Sequence, residues 1–83
     1  MQKAFILINA EPGRLWKIAE TASKVRGIKM ACAVTGEFDV IIYAEIEDMD
    51  HLGRLIGTIQ EIEGITRTHT AVVIPPRVDG GPT

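Results

Sequence analysis

The chain has 83 residues, which is enough for one domain, and its net charge of −2 with nine scattered Lys and Arg residues argues against direct DNA binding. Its single cysteine, Cys32, excludes an internal disulfide framework, and no Cys/His cluster has the spacing of a structural zinc site. We therefore expect no metal or cofactor, and stabilisation of this small core by self-association.

The first half of the chain has the pattern of a strand, a helix and a second strand. Residues 3–9 form a short run rich in branched and aromatic apolar residues, and Pro12-Gly13 follows and ends it, which predicts a buried strand. A helix is predicted over roughly 12–25, because its apolar residues recur at helical spacing, and Gly27 ends it. Residues 28–35 then predict the second strand.

The second half repeats this order. A tight turn at Gly36-Glu37 leads into a third strand over 38–46, which pairs back on the second. Asp48 or Asp50 is a suitable cap for a second helix, which Gly64 closes. The fourth strand is predicted over 65–74.

The order βαββαβ predicts an α+β fold of the ferredoxin-like type. Right-handed crossovers place both helices on one face of a four-stranded antiparallel sheet. We expect one domain over residues 1–74 and a flexible C-terminal tail over 75–83, where Pro and Gly are frequent. No signal peptide or membrane-spanning stretch is evident, so a cytoplasmic location without membrane association is the default expectation.

Two helices cover only one face of this sheet, yet the strands are apolar on both sides. Residues 5–8, 40–42 and 71–74 are apolar runs without alternation. An exposed apolar sheet face is an aggregation hazard, so the pattern predicts a two-fold homodimer formed through the uncovered face. The alternative is that the runs reflect only the strand propensity of branched residues.

The central turn, residues 35–39, combines Gly36, which can take positive φ, with the carboxylate of Asp39. Loop N–H groups and an anion lie close together there, an arrangement suited to the carboxylate and ammonium of an amino acid. The alternative is a plain hairpin in which Gly36 serves the turn and Asp39 caps it.

Three threonines, Thr66, Thr68 and Thr70, recur at every second position of the last strand. Strict alternation places their hydroxyls on one sheet face, where they are able to bind a small polar ligand. Threonine is also a good strand former, so a purely structural role remains open.

Other features point to structure and not to chemistry. Gly53 and Gly57 have a spacing that permits close packing of the helix on the sheet, and Cys32 has the surroundings of a small buried apolar residue. His51 and His69 have no acidic or cysteine partner in the sequence. We therefore expect no catalytic residues and no metal ligands, and predict that the chain is not an enzyme.

Almost the whole chain resembles the effector domain of Lrp/AsnC-type (feast/famine) transcription regulators, also called the RAM domain. The matching stretches are AFILINAEPG, AVTGEFDVIIYAEIED and EIEGITRTHTAVVI. A T-G-x-[FY]-D hairpin followed about 30 residues later by a G-[VI]-x-x-[ST]-x-T strand is a more specific signature than either half alone.

The resemblance implies an amino-acid effector held between dimers by the hairpin and the last strand, at Gly36, Glu37, Phe38, Asp39, Thr66, Thr68 and Thr70. It also implies a homodimer and a ring-like oligomer of dimers. Full-length regulators place a helix-turn-helix segment before this domain, whereas this sequence starts at the first strand. The resemblance therefore implies a stand-alone member that senses an amino acid or co-assembles with full-length regulators.

Three alternatives remain open. The segment 11–15 resembles the D-x-P-G-x-L opening of ACT domains, which share the topology and also bind amino acids. A dimeric ferredoxin-like barrel enzyme has the same architecture, although only Trp16, Tyr43, His51 and His69 are available to line its cavity. The third alternative is a structural assembly adaptor whose hairpin binds nothing.

Overall fold

Six elements follow one another in the predicted order in a computed structural model, which describes residues 1–75. They are β1 (Gln2–Ala10), α1 (Leu15–Ser23), β2 (Ile28–Ala33), β3 (Val40–Ile46), α2 (Met49–Gln60) and β4 (Ile65–Val72). All strand pairs are antiparallel, in the order β2-β3-β1-β4. The ferredoxin-like α+β fold is therefore confirmed. Apart from Pro75, the predicted flexible tail lies outside the described residues.

The core lies between the sheet and the two helices. Every second residue of β1 and β3 is buried against them, including Ile6, Ile8 and Ile42, which are fully inaccessible to solvent. The helices contribute one apolar side each, Ile18, Ala19 and Ala22 from α1 and Leu52, Leu55 and Ile59 from α2. No helix within residues 1–75 is long and apolar enough to cross a membrane.

The face of the sheet that carries no helix, called the open face below, is largely apolar. Phe5 pairs with Tyr43 and Leu7 pairs with Ile41 on this face, and Met30 and Cys32 extend it onto β2. The rings of Phe5 and Tyr43 lie 5.1 Å apart. Phe5 is 38% exposed and Met30 is 44% exposed. Cys32, expected to be buried, is exposed here, because it points away from the helices.

The helix boundaries show where local chemistry overrides periodicity. α1 begins at Leu15 and not at residue 12, because Gly13 takes φ +81° in a turn closed by the bond from the Arg14 amide to the Glu11 carbonyl. At α2 the predicted cap is confirmed. The Asp48 carboxylate accepts the backbone N–H of His51 at 2.9 Å and lies 2.7 Å from the His51 ring nitrogen Nδ1, and these two bonds hold the pKa of Asp48 below its usual value.

Two glycines of α2 do not have the packing role expected of them. Gly53 and Gly57 are exposed, and a Cβ added at either position would have no atom within 4 Å. The predicted close helix packing is therefore wrong for the single chain. On the outer side of α1, the indole of Trp16 is likewise unpacked, with 74% of the residue exposed.

Candidate ligand site at the central hairpin

The connection between β2 and β3 is a six-residue loop over 34–39 and not the two-residue turn that the sequence suggested. The amide of Val34 donates to the Asp39 carbonyl at 2.9 Å, which closes the loop at its base. Gly36 takes φ +108°, and a Cβ there would meet nothing within 4 Å. The glycine is therefore required by its backbone conformation and not by lack of space.

Asp39 fastens this loop to the end of β1. Its amide donates to the Ile8 carbonyl at 2.8 Å, and its carboxylate oxygen Oδ2 accepts the Ala10 amide at 2.8 Å. The neighbouring Asn9 side chain donates to the Glu37 carbonyl at 2.8 Å. The two bonds that involve side chains join residues 28 and 29 positions apart in the sequence, so no local sequence pattern predicts them.

Phe38 packs on β4 across the open face. Its ring meets the His69 ring edge-on, with centroids 5.5 Å apart and an angle of 70° between the planes. His69 pairs with Leu7 in the sheet, which places the contact next to the apolar patch. His69 and Asn9 are therefore part of the site region although the sequence singled out neither for it.

The threonines of β4 occupy two different places. Thr68 and Thr70 pair with Ile8 and Ile6, which are buried under the helices, so their side chains point to the helix side. The Thr68 hydroxyl accepts the Gln60 side-chain amide of α2 at 3.1 Å.

Thr66 departs from this row at a break in register. The pairing of β1 with β4 shifts between Asn9 and Ala10, and Ile65 packs against the core there. The Thr66 hydroxyl donates to the Asn9 carbonyl at 3.2 Å. Within one chain, the structure therefore brings Thr66 to the same two-residue segment as the hairpin, whereas Thr68 and Thr70 lie on the opposite sheet face from Phe38.

Asn9 and Ala10 are the common anchor of this region. They accept from Thr66, donate to Glu37 and donate to Asp39. Among the described residues, the hydrogen bond of the Asp39 carboxylate uses Oδ2 only, and the amides of 35–38 donate to no other group. The loop therefore offers backbone N–H donors for an anion beside a carboxylate oxygen able to accept from a cation.

Within residues 1–75, no group of three or more His, Cys, Asp or Glu side chains is placed to hold an ion. The polar groups that the loop presents are the backbone N–H groups of residues 35–38 and the Asp39 oxygen Oδ1, which makes no hydrogen bond to another described residue.

The chain is similar in sequence and in fold to known transcriptional regulators. FL11, an HTH-type transcriptional regulator of Pyrococcus furiosus, is 28% identical over 71 residues, which cover 86% of this chain and 47% of that protein. The crystal structure of FFRP-DM1 superposes with a TM-score of 0.84 at 29% identity, covering 89% of this chain and 100% of the other.

A transcriptional regulator of Neisseria meningitidis in complex with L-Met has a TM-score of 0.79 at 20% identity, with 93% of this chain and 52% of that one covered; this likeness shows the fold alone. The chain spans about half the length of the curated relatives it matches. The family model described as the Lrp/AsnC ligand binding domain matches residues 3–82. The chain therefore belongs to the Lrp/AsnC family, through the ligand-binding domain that this family shares.

Proposed function

We propose that this domain binds an amino acid at the hairpin loop of an assembled homodimer, and that it acts in transcription regulation of amino-acid metabolism and not as an enzyme. The proposal rests on which hydrogen-bonding groups of the loop are already paired within the chain. Asp39 is fixed by the Ala10 amide through Oδ2, which leaves Oδ1 for the ammonium group. The unpaired amides of 35–38 lie beside it for the carboxylate.

Family membership supports the same ligand class. The relatives are transcriptional regulators, and one solved neighbour is described as a complex with L-Met. Loop contacts of this kind address the amino and carboxyl groups that all amino acids share. We therefore assign the class of ligand and not the individual amino acid.

The open face supports the homodimer. Phe5 and Met30 keep 38% and 44% of their surface exposed in the single chain, and they are continuous with Leu7, Ile41 and Tyr43. Burying such a face against its own two-fold copy removes apolar surface from water without new partners. Phe38 of the hairpin loop contacts His69 at the edge of this face, so the loop lies next to the proposed dimer interface.

Higher assembly completes the proposed site. Thr68 and Thr70 lie away from Phe38 in one chain, so a ligand that touches both the hairpin and this row needs residues from a second copy. We place the effector between dimers that assemble into a ring-like oligomer. Because the longer relatives match this domain over about half of their length, we also propose co-assembly with full-length Lrp/AsnC-type regulators.

The test is calorimetric titration of the protein with each of the twenty amino acids, with the molar mass measured before and after addition. Asp39→Asn keeps the Ala10 bond but removes the charge, so affinity should fall by roughly 1.5 to 3 kcal/mol, or about ten- to a hundredfold. Asp50→Asn is the matched control, an exposed carboxylate on α2. Equal affinity in the wild type and the Asp39 variant would place the site elsewhere, with the loop around Pro12 next in line.

A further inference from the structure

A cleft lies at the opposite end of β3 from the hairpin. It opens between the loop after α1, the start of β2, the end of β3 and α2, and it has a volume of about 460 Å³. Ile46 ends β3 at the cleft, whereas Val40 begins it at the hairpin, so about 20 Å of strand separates the two. The cleft is therefore no part of the hairpin site.

The base of the cleft is apolar and closely packed. Ile46 and Leu55 are each 5% exposed there, with Val25 beside them. Gly27 holds the loop after α1 against β3. Its carbonyl accepts the Glu45 amide at 2.9 Å, and a Cβ on Gly27 would lie 3.1 Å from the Ile46 side chain. The neighbouring Arg26 is thus carried by a fixed backbone.

The walls of the cleft carry an excess of positive charge. Arg26 lines it from the loop after α1, Lys29 from β2 and Arg54 from α2. Within residues 1–75, the ion pairs are Arg14 with Glu63, Lys17 with Glu20 and His51 with Asp48, so none of the three cations is neutralised by one of them. No hydrogen bond of their side chains to another described residue was found either.

The acidic residues of the lining offset these cations only in part. Glu45 accepts the Tyr43 hydroxyl at 2.9 Å, and the Tyr43 ring packs on Phe5 of the open face, so this carboxylate is turned away from the helices. The same interaction raises the pKa of Tyr43. The lining therefore carries two carboxylates, Glu45 and Glu47, against the three cations Arg26, Lys29 and Arg54, which leaves a net charge of +1 among its Lys, Arg, Asp and Glu side chains.

From this arrangement we propose that the cleft formed by Arg26, Lys29 and Arg54 over Ile46 and Leu55 is a second ligand site, for a small organic anion with two or more phosphate or carboxylate groups. Guanidinium groups match both anions with paired hydrogen bonds. Three cations on separate segments of the chain favour a polyvalent ligand over a single carboxylate, and the apolar base suits its carbon skeleton. The volume is in the range of pockets that bind metabolites.

The test is NMR titration of the full ¹⁵N-labelled chain with pyrophosphate and, separately, with citrate. We expect saturable shift changes at the amides of Arg26, Gly27, Arg54 and Leu55, and none at Gly36 or Asp39. Response to pyrophosphate alone identifies phosphate groups as the ligand chemistry, and response to citrate alone identifies carboxylates. The absence of saturable changes in the cleft with both probes at millimolar concentration would overturn the proposal.

A charge-matched pair of variants separates a built site from general attraction. Arg26→Gln with Arg54→Gln should raise the Kd roughly a hundredfold, about tenfold for each of the two lost charge-assisted contacts. Arg14→Gln with Lys17→Gln removes the same charge outside the cleft and should leave the Kd nearly unchanged. Equal weakening by the two pairs would show unspecific electrostatic binding and refute the site. The same spectra report whether each variant is folded.

Discussion

Replacing Phe5 by Ala tests whether the open face is the dimer interface. Phe5 is 38% exposed in the single chain, and its ring lies at the centre of the apolar patch, 5.1 Å from that of Tyr43. For an aromatic side chain of about 200 Å², that fraction is roughly 75 Å², or about 2 kcal/mol of apolar burial per copy. A two-fold dimer contains the substitution in both copies, so the largest expected loss of dimerisation free energy is about 4 kcal/mol, which corresponds to a roughly thousandfold rise in Kd.

Sedimentation equilibrium over a dilution series gives the monomer–dimer Kd for this comparison. Trp16→Ala is the matched control, because it removes an exposed aromatic side chain from the outer side of α1 and should leave that constant unchanged. Met30→Ser, on the edge strand of the same face, should also raise the monomer–dimer Kd, and it keeps the contact between Phe5 and Tyr43. A wild-type monomer at micromolar concentration, or equal constants for the Phe5 and Trp16 variants, would refute the interface.

Three further outcomes concern stability. Gly53→Ala and Gly57→Ala should each stabilise the fold by up to about 1 kcal/mol, because both positions are helical and a Cβ would meet no other atom there. The expected rise in Tm is roughly 6 °C for each substitution, whereas a lower Tm would mean that another chain covers this side of α2. Gly64→Ala should instead destabilise by about 1 to 2 kcal/mol in chemical denaturation, since its φ is +98° and a Cβ would lie 2.9 Å from a neighbouring side chain; an unchanged midpoint would contradict this. The pKa of Asp48 is lowered in the folded state, so its contribution to stability is present above the ordinary carboxyl pKa and is lost as pH falls through the lowered pKa. Asp48→Ala should therefore make the Tm depend less on pH in the acid range. An identical pH profile of Tm in the wild type and the variant would argue against the cap bond to His51.

The order of elements was predictable because each one has a local signal. Helical spacing marks α1 and α2, and Asp48 with Gly64 marks the two ends of the second helical region. The two-layer fold then follows from right-handed crossovers, which need no knowledge of individual contacts. Gly36 was likewise identified as a residue with positive φ from its place in the turn.

The details of the candidate site were not predictable, since they depend on bonds between distant parts of the chain. The anchoring of Asp39 on Ala10 joins residues 29 apart, and it turns a predicted two-residue turn into a longer loop. The register shift between Asn9 and Ala10 removes Thr66 from the alternation on which the threonine row depended. Sequence periodicity predicts on which face of an element a residue lies, but not whether another element covers that face. The predicted close packing at Gly53 and the predicted burial of Cys32 were wrong for this reason.

The exposed Trp16 gives the protein an intrinsic optical reporter. It is the single tryptophan of the sequence, and it lies on the outer side of α1, away from the open face. Its fluorescence should therefore keep the red-shifted maximum of a hydrated indole when two chains join through the sheet. A blue shift on raising the concentration or adding an amino acid would signal that a further copy has covered α1. One emission spectrum thus separates pairing from higher assembly without any label.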